Sequence, residues 1–196
     1  MASMHRVNDP TRRHLLALAA LLVLAPHLYA DEPVYRELDW IQMLPDDDFQ
    51  ALFNPPEIDH GYGEDEGSGA LLTRQDSGTG AARFDRFEQA LVSVKVIPEL
   101  NEAKVSIPGF IVPLAYDAKE RVTEFFLVPY FGACIHTPPP PPNQIVHVSF
   151  PDGLELHSIY DAFFIDGTLY TSRVENDMAI AAYSMKAVAN RPYGEE

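Results

Sequence analysis

The sequence is poor in cysteine and in basic residues. Its 196 residues include one cysteine, Cys134, and 14 Lys and Arg against 29 Asp and Glu, which gives a formal net charge of −15. One cysteine cannot close an intramolecular disulfide, so a small scaffold held together by disulfides is excluded. The acidic excess repels phosphate groups and therefore argues against nucleic acid and anionic membrane surfaces as partners.

Long apolar runs are also lacking. The apolar run of residues 15–26 is too short to span a bilayer, which takes about 20 residues as a helix. Arg12 and Arg13 precede this run, and Ala30 with two acidic residues follows it. A basic start, an apolar middle and a small residue at the cut are typical of a secretory signal peptide. We therefore predict that residues 1–30 are removed on export, and that the protein is periplasmic with no integral membrane segment after signal removal.

Residues 31–90 are predicted to form an irregular, partly helical N-terminal extension. The acidic run that begins at Asp46 is expected to start a short helix, which two following prolines end. Residues 57–80 combine glycine with acidic residues and cannot bury much apolar surface, so they are predicted to be a loop or disordered linker. His60 in this linker is interpreted as a solvated loop histidine, with metal contact as the alternative. Helical spacing of apolar residues resumes over residues 83–90.

The chain from residue 91 to residue 196 has β-strand patterns separated by proline and glycine. Strands are predicted at residues 104–114, 122–128, 145–150, 159–165 and 168–172. The near-continuous apolar character of residues 122–128 predicts a central, buried position for that strand. Residues 108–109 are expected to form a bend or bulge, residues 151–153 a turn, and the Asp-Gly pair at residues 166–167 a hairpin turn. Residues 177–189 fit either a helix or a final edge strand.

These short strands predict a mainly β domain at residues 91–196. We expect a small antiparallel OB-like β-barrel, because curling of the sheet removes its exposed edges. A small β-sandwich is the alternative. In the third strand, alternation places Val146, Val148 and Phe150 toward the core and His147 on the opposite face.

Cys134, His136 and His147 are the candidate metal ligands. In an extended segment Cys134 and His136 project to the same side, because side chains of a strand alternate with a period of two. After the proline run the chain can return as a neighbouring strand, which would bring His147 beside them. One thiolate and two imidazoles form a three-ligand set suited to zinc or copper, with one position open. His157 is a spare candidate ligand, and its alternative is an exposed histidine near a turn.

Two other interpretations of Cys134 remain open. A free cysteine is often buried as a small apolar residue, which would give it no chemical role. With a neighbouring histidine it could instead be the nucleophile of a thiol enzyme, although no sequence signature supplies an orienting residue or an oxyanion hole. The polyproline run, residues 138–142, spans about 16 Å as a rigid rod. It either braces the Cys134 segment against Tyr130 and Phe131 or offers a ligand to an aromatic groove of a partner.

Four blocks of the sequence carry specific motifs: residues 107–110, 126–136, 138–144 and 182–185. The central blocks form the pattern LVPYFGACIHxPPPPPNQ. Together the blocks resemble a family of exported bacterial proteins classed as a domain of unknown function, and the resemblance covers roughly residues 40–188. It implies an OB-like barrel, a location in the envelope of Gram-negative bacteria and an association with envelope transport systems, some of them linked to zinc homeostasis. It implies no catalytic or ligand-binding residue.

The sequence thus predicts a periplasmic, non-enzymatic accessory or binding component of a bacterial envelope system. Its expected partner is an envelope transport or assembly protein, and its expected cofactor is zinc held by Cys134, His136 and His147. The alternatives are a purely structural adaptor for an envelope transporter and a Cys/His thiol enzyme.

Overall fold

The computed structural model describes residues 34–55, 78–133 and 139–194. His60, Cys134 and His136 therefore lie outside the described residues, as do the predicted signal peptide and most of the predicted linker. The residues from Val34 onward form one compact unit.

Five long strands form a closed barrel. The strands of the described residues are β1 Arg36–Glu37, β2 Ala103–Tyr116, β3 Val122–Val128, β4 Val146–Leu154, β5 Ala162–Tyr170, β6 Val174–Glu175, β7 Ile180–Ala181 and β8 Tyr183–Pro192. The barrel has the order β2, β3, β4, β8, β5, and it closes because β5 pairs again with β2. This confirms the OB-like barrel predicted from the sequence. β1 pairs with β2 in parallel, and β6 and β7 form a separate two-stranded sheet.

One seam of the barrel is parallel. β4 and β8 run in the same direction, with Val146 opposite Tyr183, whereas the other four seams are antiparallel. Of the two alternatives predicted at residues 177–189, the final strand is confirmed by β8 and the helix was wrong. The predicted edge position was also wrong, because β8 is paired on both sides. β8 is a strand inside the barrel because its side chains alternate in burial. Tyr183, Met185 and Ala187 all lie in the core of the barrel.

The N-terminal extension is helical in two places. Helix α1 spans Asp46–Phe53 and ends before the two prolines, as predicted, and helix α2 spans Gly78–Leu91. The prediction of a linker over residues 57–80 was wrong for its last three residues, which belong to α2. Short 3₁₀ turns lie at Trp40–Met43, Pro98–Leu100 and Pro142–Gln144. Within the described parts of the chain, no helix is both long enough and apolar enough to cross a membrane.

The hairpin predicted at residues 166–167 does not form. β5 runs through both residues, and its register against β8 shifts at this point. A Cβ atom on Gly167 would overlap the carbonyl oxygen of Lys186 and would lie 2.9 Å from the Cα atom of Ala187. Gly167 is therefore required for the close approach of two strands and not for a turn.

The turn predicted at residues 151–153 was also wrong, because these residues belong to β4. Glu124 of β3 pairs with Ser149, whereas Val122, two residues away on β3, pairs with Leu154, five residues away on β4. The extra residues of β4 form a bulge here. Gly153 has a φ angle of +72°, a conformation that other residues rarely adopt. The proline and glycine signal thus marks a bulge inside a strand and not its end.

β2 passes through residues 108–109 without a register shift against β5, so the predicted bulge is not at this position. The shifts in β2 lie farther along, around Ala115, where it pairs with β3. A Cβ atom on Gly109 would lie 2.8 Å from the carbonyl oxygen of Val128. This glycine therefore permits close packing of β2 against β3.

Apolar side chains form two cores. The main core lies inside the barrel and includes Val146, Val148 and Phe150, as predicted. The second, which we call the outer core, covers the outside of β2 and β3. Its buried members are Val112, Phe126, Val128, Ala133, Ile145 and Ala181. Because β3 contributes to both cores, its predicted central, buried position is confirmed.

Candidate ligand and metal site

The outer face of β4 carries the candidate site. Because strand side chains alternate and the valines of β4 enter the core, His147 and Ser149 face outward. The strand register places Ser184 of β8 beside His147 and Lys186 beside Ser149. The site is therefore built on the parallel seam of the barrel.

A carboxylate orients the imidazole of His147. Its Nε2 atom lies 2.6 Å from Oε1 of Glu124 on β3, and its ring packs edge-on against Phe126 with the ring centroids 5.9 Å apart. The side chain of His147 is 14% exposed and that of Glu124 is 46% exposed. An ionised carboxylate only accepts hydrogen bonds, so this contact favours the tautomer with the hydrogen on Nε2. The Nδ1 atom of that tautomer keeps its lone pair.

An open pocket of about 350 Å³ lies beside His147. Its lining residues are His147, Ser149, Tyr170, Ser172, Val174, Ser184, Met185 and Lys186. The hydroxyl oxygens of Ser172 and Ser184 are 2.5 Å apart, and one of them donates to the other. The Nζ atom of Lys186 lies 5.6 Å from the centroid of the Tyr170 ring, within the range of a cation–π interaction. The pocket thus combines hydroxyl groups, an ammonium group, an imidazole and an aromatic ring.

Cys134 and His136 lie outside the described residues, so the predicted three-ligand metal site stays a prediction. Ala133, which directly precedes Cys134, is buried in the outer core with Phe126, whose ring contacts the imidazole described above. Within the ranges that the structure describes, no group of three or more His, Cys, Asp and Glu is arranged to hold a metal ion. His157 is exposed in the connection between β4 and β5.

The two residues that follow the proline run fix the N-terminal extension to the barrel. Asn143 donates from Nδ2 to the carboxylate of Asp48 at 3.0 Å, and both side chains are fully buried. Gln144 donates from Nε2 to the carbonyl oxygen of Trp40 at 2.9 Å. The sequence motif includes this Asn-Gln pair, but its contacts were not predicted because the partners are 95 and 104 positions away.

Asp48 is a buried acceptor shared by several elements. Its Oδ1 atom accepts from Arg86 of α2 at 2.6 Å, and its Oδ2 atom accepts from Ser93 at 2.5 Å in addition to the amide described above. The hydrogen bond to Asp48 raises the pKa of the Arg86 guanidinium. The neighbouring Asp47 lies 2.5 Å from Nζ of Lys95, and this hydrogen bond lowers the pKa of Asp47. Two aspartates at the start of α1 therefore bind α2 and the segment after it, which contains Ser93 and Lys95.

The described end of the proline run is partly packed into the protein. Pro140 is buried, and Pro141 is extended with a ψ angle of 147°. The ring of Phe131 lies 4.4 Å from the ring of Tyr160 and 6.2 Å from that of Phe110, measured between centroids. Contact between the proline run and the aromatic residues at 130 and 131 stays a prediction.

The fold and the site define a closed, five-stranded OB-like barrel with a helical N-terminal extension. The chain belongs to the DUF3299 family, described as a protein of unknown function, and the family match covers residues 40–192. The chain is similar to a DUF3299 family protein from Pseudomonas aeruginosa PAO1, whose crystal structure was determined at 2.45 Å resolution. The two share 34% sequence identity with a TM-score of 0.58, over 84% of this chain and 99% of the other. Comparison with curated proteins gave no match.

Proposed function

We propose that this DUF3299 protein is a periplasmic, non-enzymatic accessory or binding component of a bacterial envelope system, and that it binds zinc through Cys134, His136 and His147. Its partner is an envelope transport or assembly protein. The observation that supports zinc binding is the hydrogen bond of 2.6 Å between His147 and Glu124.

This hydrogen bond orients the imidazole of His147 and leaves its Nδ1 atom available as a metal ligand. Histidines that bind metals usually donate their second ring N–H to a carboxylate, carbonyl or water, which fixes the tautomer and makes the other nitrogen a better ligand. Glu124 plays that part for His147, and Phe126 packs against the ring to restrict its rotation. The Nδ1 atom is then the metal-binding atom.

The chain connectivity supports a shared site. The last described residue before Cys134 is Ala133, which is buried in the outer core on the outside of β3. The imidazole of His147 contacts the same core through Phe126. The proposal requires Cys134 and His136 to turn toward this face, where one thiolate and two imidazoles suit zinc and leave a fourth position open.

Export and the family motif complete the proposal. Export is supported by the sequence pattern of residues 1–30, in which arginines precede an apolar run and a small residue stands at the end. Residues 127–144, with the pattern LVPYFGACIHxPPPPPNQ, are proposed as a distinguishing motif of the family. The motif contains two proposed zinc ligands and the Asn-Gln pair that anchors the N-terminal extension.

Elemental analysis and zinc titration of the purified protein test the proposal. We expect about one zinc ion per chain, because the three proposed ligands form one site. Cys134→Ser and His147→Ala should each abolish binding, and Glu124→Gln should weaken it by about 10- to 100-fold through loss of the orienting carboxylate. His157→Ala is the matched control and should bind zinc like the wild type. Full zinc binding by both Cys134→Ser and His147→Ala would contradict the proposal.

A purely structural adaptor is the second candidate, and an exposed aromatic patch favours it. Tyr160 is 69% exposed and its ring packs against that of Phe131, and Tyr130 and Ile159 are also exposed. Aromatic residues are enriched in protein interfaces. An adaptor would keep its partner in Cys134→Ser but lose it when residues 138–142 are replaced by glycine and serine, whereas a zinc-dependent component would lose function in Cys134→Ser.

A further inference from the structure

The pocket beside His147 differs in charge from the rest of the protein. The chain has a formal net charge of −15, yet none of the described residues that line the pocket is Asp or Glu. Lys186 is the formally charged residue among them. The nearby carboxylate of Glu124 is hydrogen-bonded to the imidazole of His147. The lining of the pocket therefore lacks the carboxylates that would repel an anion.

Strand register extends the positive charge along the barrel. Thr168 of β5 is paired with Lys104 of β2 on one side and with Lys186 of β8 on the other. Lys186 is in turn paired with Ser149 of β4. Two lysines therefore flank one threonine on the outside of the barrel. Among the salt bridges between described residues, neither lysine has a carboxylate partner.

The pocket also presents hydrogen-bond donors in a fixed arrangement. Ser172 and Ser184 share one hydrogen bond, so one of their two hydroxyl hydrogens is left for a ligand. Ser149 adds an exposed hydroxyl group on the neighbouring strand. The ring of Tyr170 lies beneath the ammonium group of Lys186 and restricts where it can point.

We propose that this pocket binds a small polyhydroxylated anion of the chemical class of sugar acids and sugar phosphates. The anionic group pairs with Lys186, the ligand hydroxyls bond to the serines, and the ring of the ligand packs against Tyr170. The volume of about 350 Å³ is at the small end for ligand pockets. The pocket includes β4 and the connection between β5 and β8, which belong to the region where OB-folds bind oligosaccharides and oligonucleotides.

This inference goes beyond zinc binding, and its test separates the two. NMR titration of the purified protein in the presence of a metal chelator uses glucuronate, glucose 6-phosphate and uncharged glucose as probes. We expect saturable shifts at Ser149, Ser184 and Lys186 with an anionic probe and weaker ones with glucose. The preferred anion distinguishes a carboxylate ligand from a phosphate ligand.

Two variants provide the control. Lys186→Gln should weaken binding of the anion by about tenfold or more, since it removes a charge-assisted hydrogen bond. Lys119→Gln removes an equal charge from the exposed turn between β2 and β3 and should leave binding unchanged. The proposal is overturned if neither anion binds saturably, if glucose binds equally well, if both variants weaken binding equally, or if binding requires zinc.

Discussion

The phenolic oxygen of Tyr183 in β8 donates a hydrogen bond to the carbonyl oxygen of Met43 at 2.9 Å, across 140 positions of sequence. The same oxygen accepts a hydrogen bond from the backbone N–H of Ile97 at 2.7 Å. Tyr183 is fully buried. One hydroxyl group therefore joins the last strand of the barrel to the N-terminal extension and to the segment that leads into β2.

Tyr183→Phe should lower the free energy of unfolding by about 1–3 kcal/mol, because it leaves the Met43 carbonyl and the Ile97 N–H without a partner in a buried position. Urea denaturation measures the change. Tyr116→Phe, at a residue 59% exposed, is the control and should change stability by less than about 0.5 kcal/mol. Equal stability of the two variants would show that the buried hydroxyl contributes nothing.

Alkaline pH should destabilise the wild-type protein through the same residue. Burial raises the pKa of Tyr183 to about 12 from its ordinary value of 10. Above pH 10 the unfolded chain releases this proton while the folded protein retains it, so stability falls as the pH rises and the loss is complete near pH 12. At about 1.4 kcal/mol for each pKa unit, the loss amounts to about 3 kcal/mol.

The alkaline effect is checked by measuring the free energy of unfolding between pH 8 and pH 12 for the wild type and for Tyr183→Phe. The difference in stability between the two proteins should shrink as the pH rises. Parallel curves over the whole range would rule out Tyr183 as the group responsible.

Asp48→Ala should destabilise the protein by about 3 kcal/mol, because it removes the acceptor of Arg86, Ser93 and Asn143 at a buried position. Thermal and chemical unfolding both report the change. Asp47→Ala is the matched control on the adjacent residue, whose side chain is 52% exposed, and should cost less than about 1 kcal/mol. If both variants cost the same, the buried network does not hold the extension.

Gly167→Ala should cost about 2 kcal/mol or more, because the added methyl group overlaps the backbone of β8 at the register shift. Thr168→Ala, at the next residue and facing outward, is the control and should have a small effect. Comparison of their unfolding midpoints in urea tests the prediction. A neutral Gly167→Ala would mean that the two strands separate there at little cost.

The sequence predicted those parts of the fold whose signal is local. Val146, Val148 and Phe150 alternate with His147 along one strand, and this alternation alone identified the core face of β4. The near-continuous apolar character of β3 likewise predicted its burial, because a strand covered on both faces needs apolar residues on both. These predictions required no knowledge of the rest of the chain.

The sequence did not predict features that depend on distant partners. An Asp-Gly pair is a strong hairpin signal, but position 167 requires glycine for another reason. The backbone of β8 approaches so closely that a Cβ atom would overlap it. Three successive aspartates begin α1, and only the contacts with Ser93 and Asn143 distinguish Asp48 from its neighbours. The His147–Glu124 pair of the candidate site also depends on the register of β3 against β4, which no local pattern shows.

The position of β8 gives the protein a late folding step. This strand is the last along the chain among the described strands, yet it lies between β4 and β5 in the barrel. Until the residues from Tyr183 onward join the sheet, β4 and β5 each have one unpaired edge, and such edges are templates for aggregation. A chain shortened to end before Tyr183 lacks every residue of β8 that pairs with β4, and it should form an open sheet in place of a barrel.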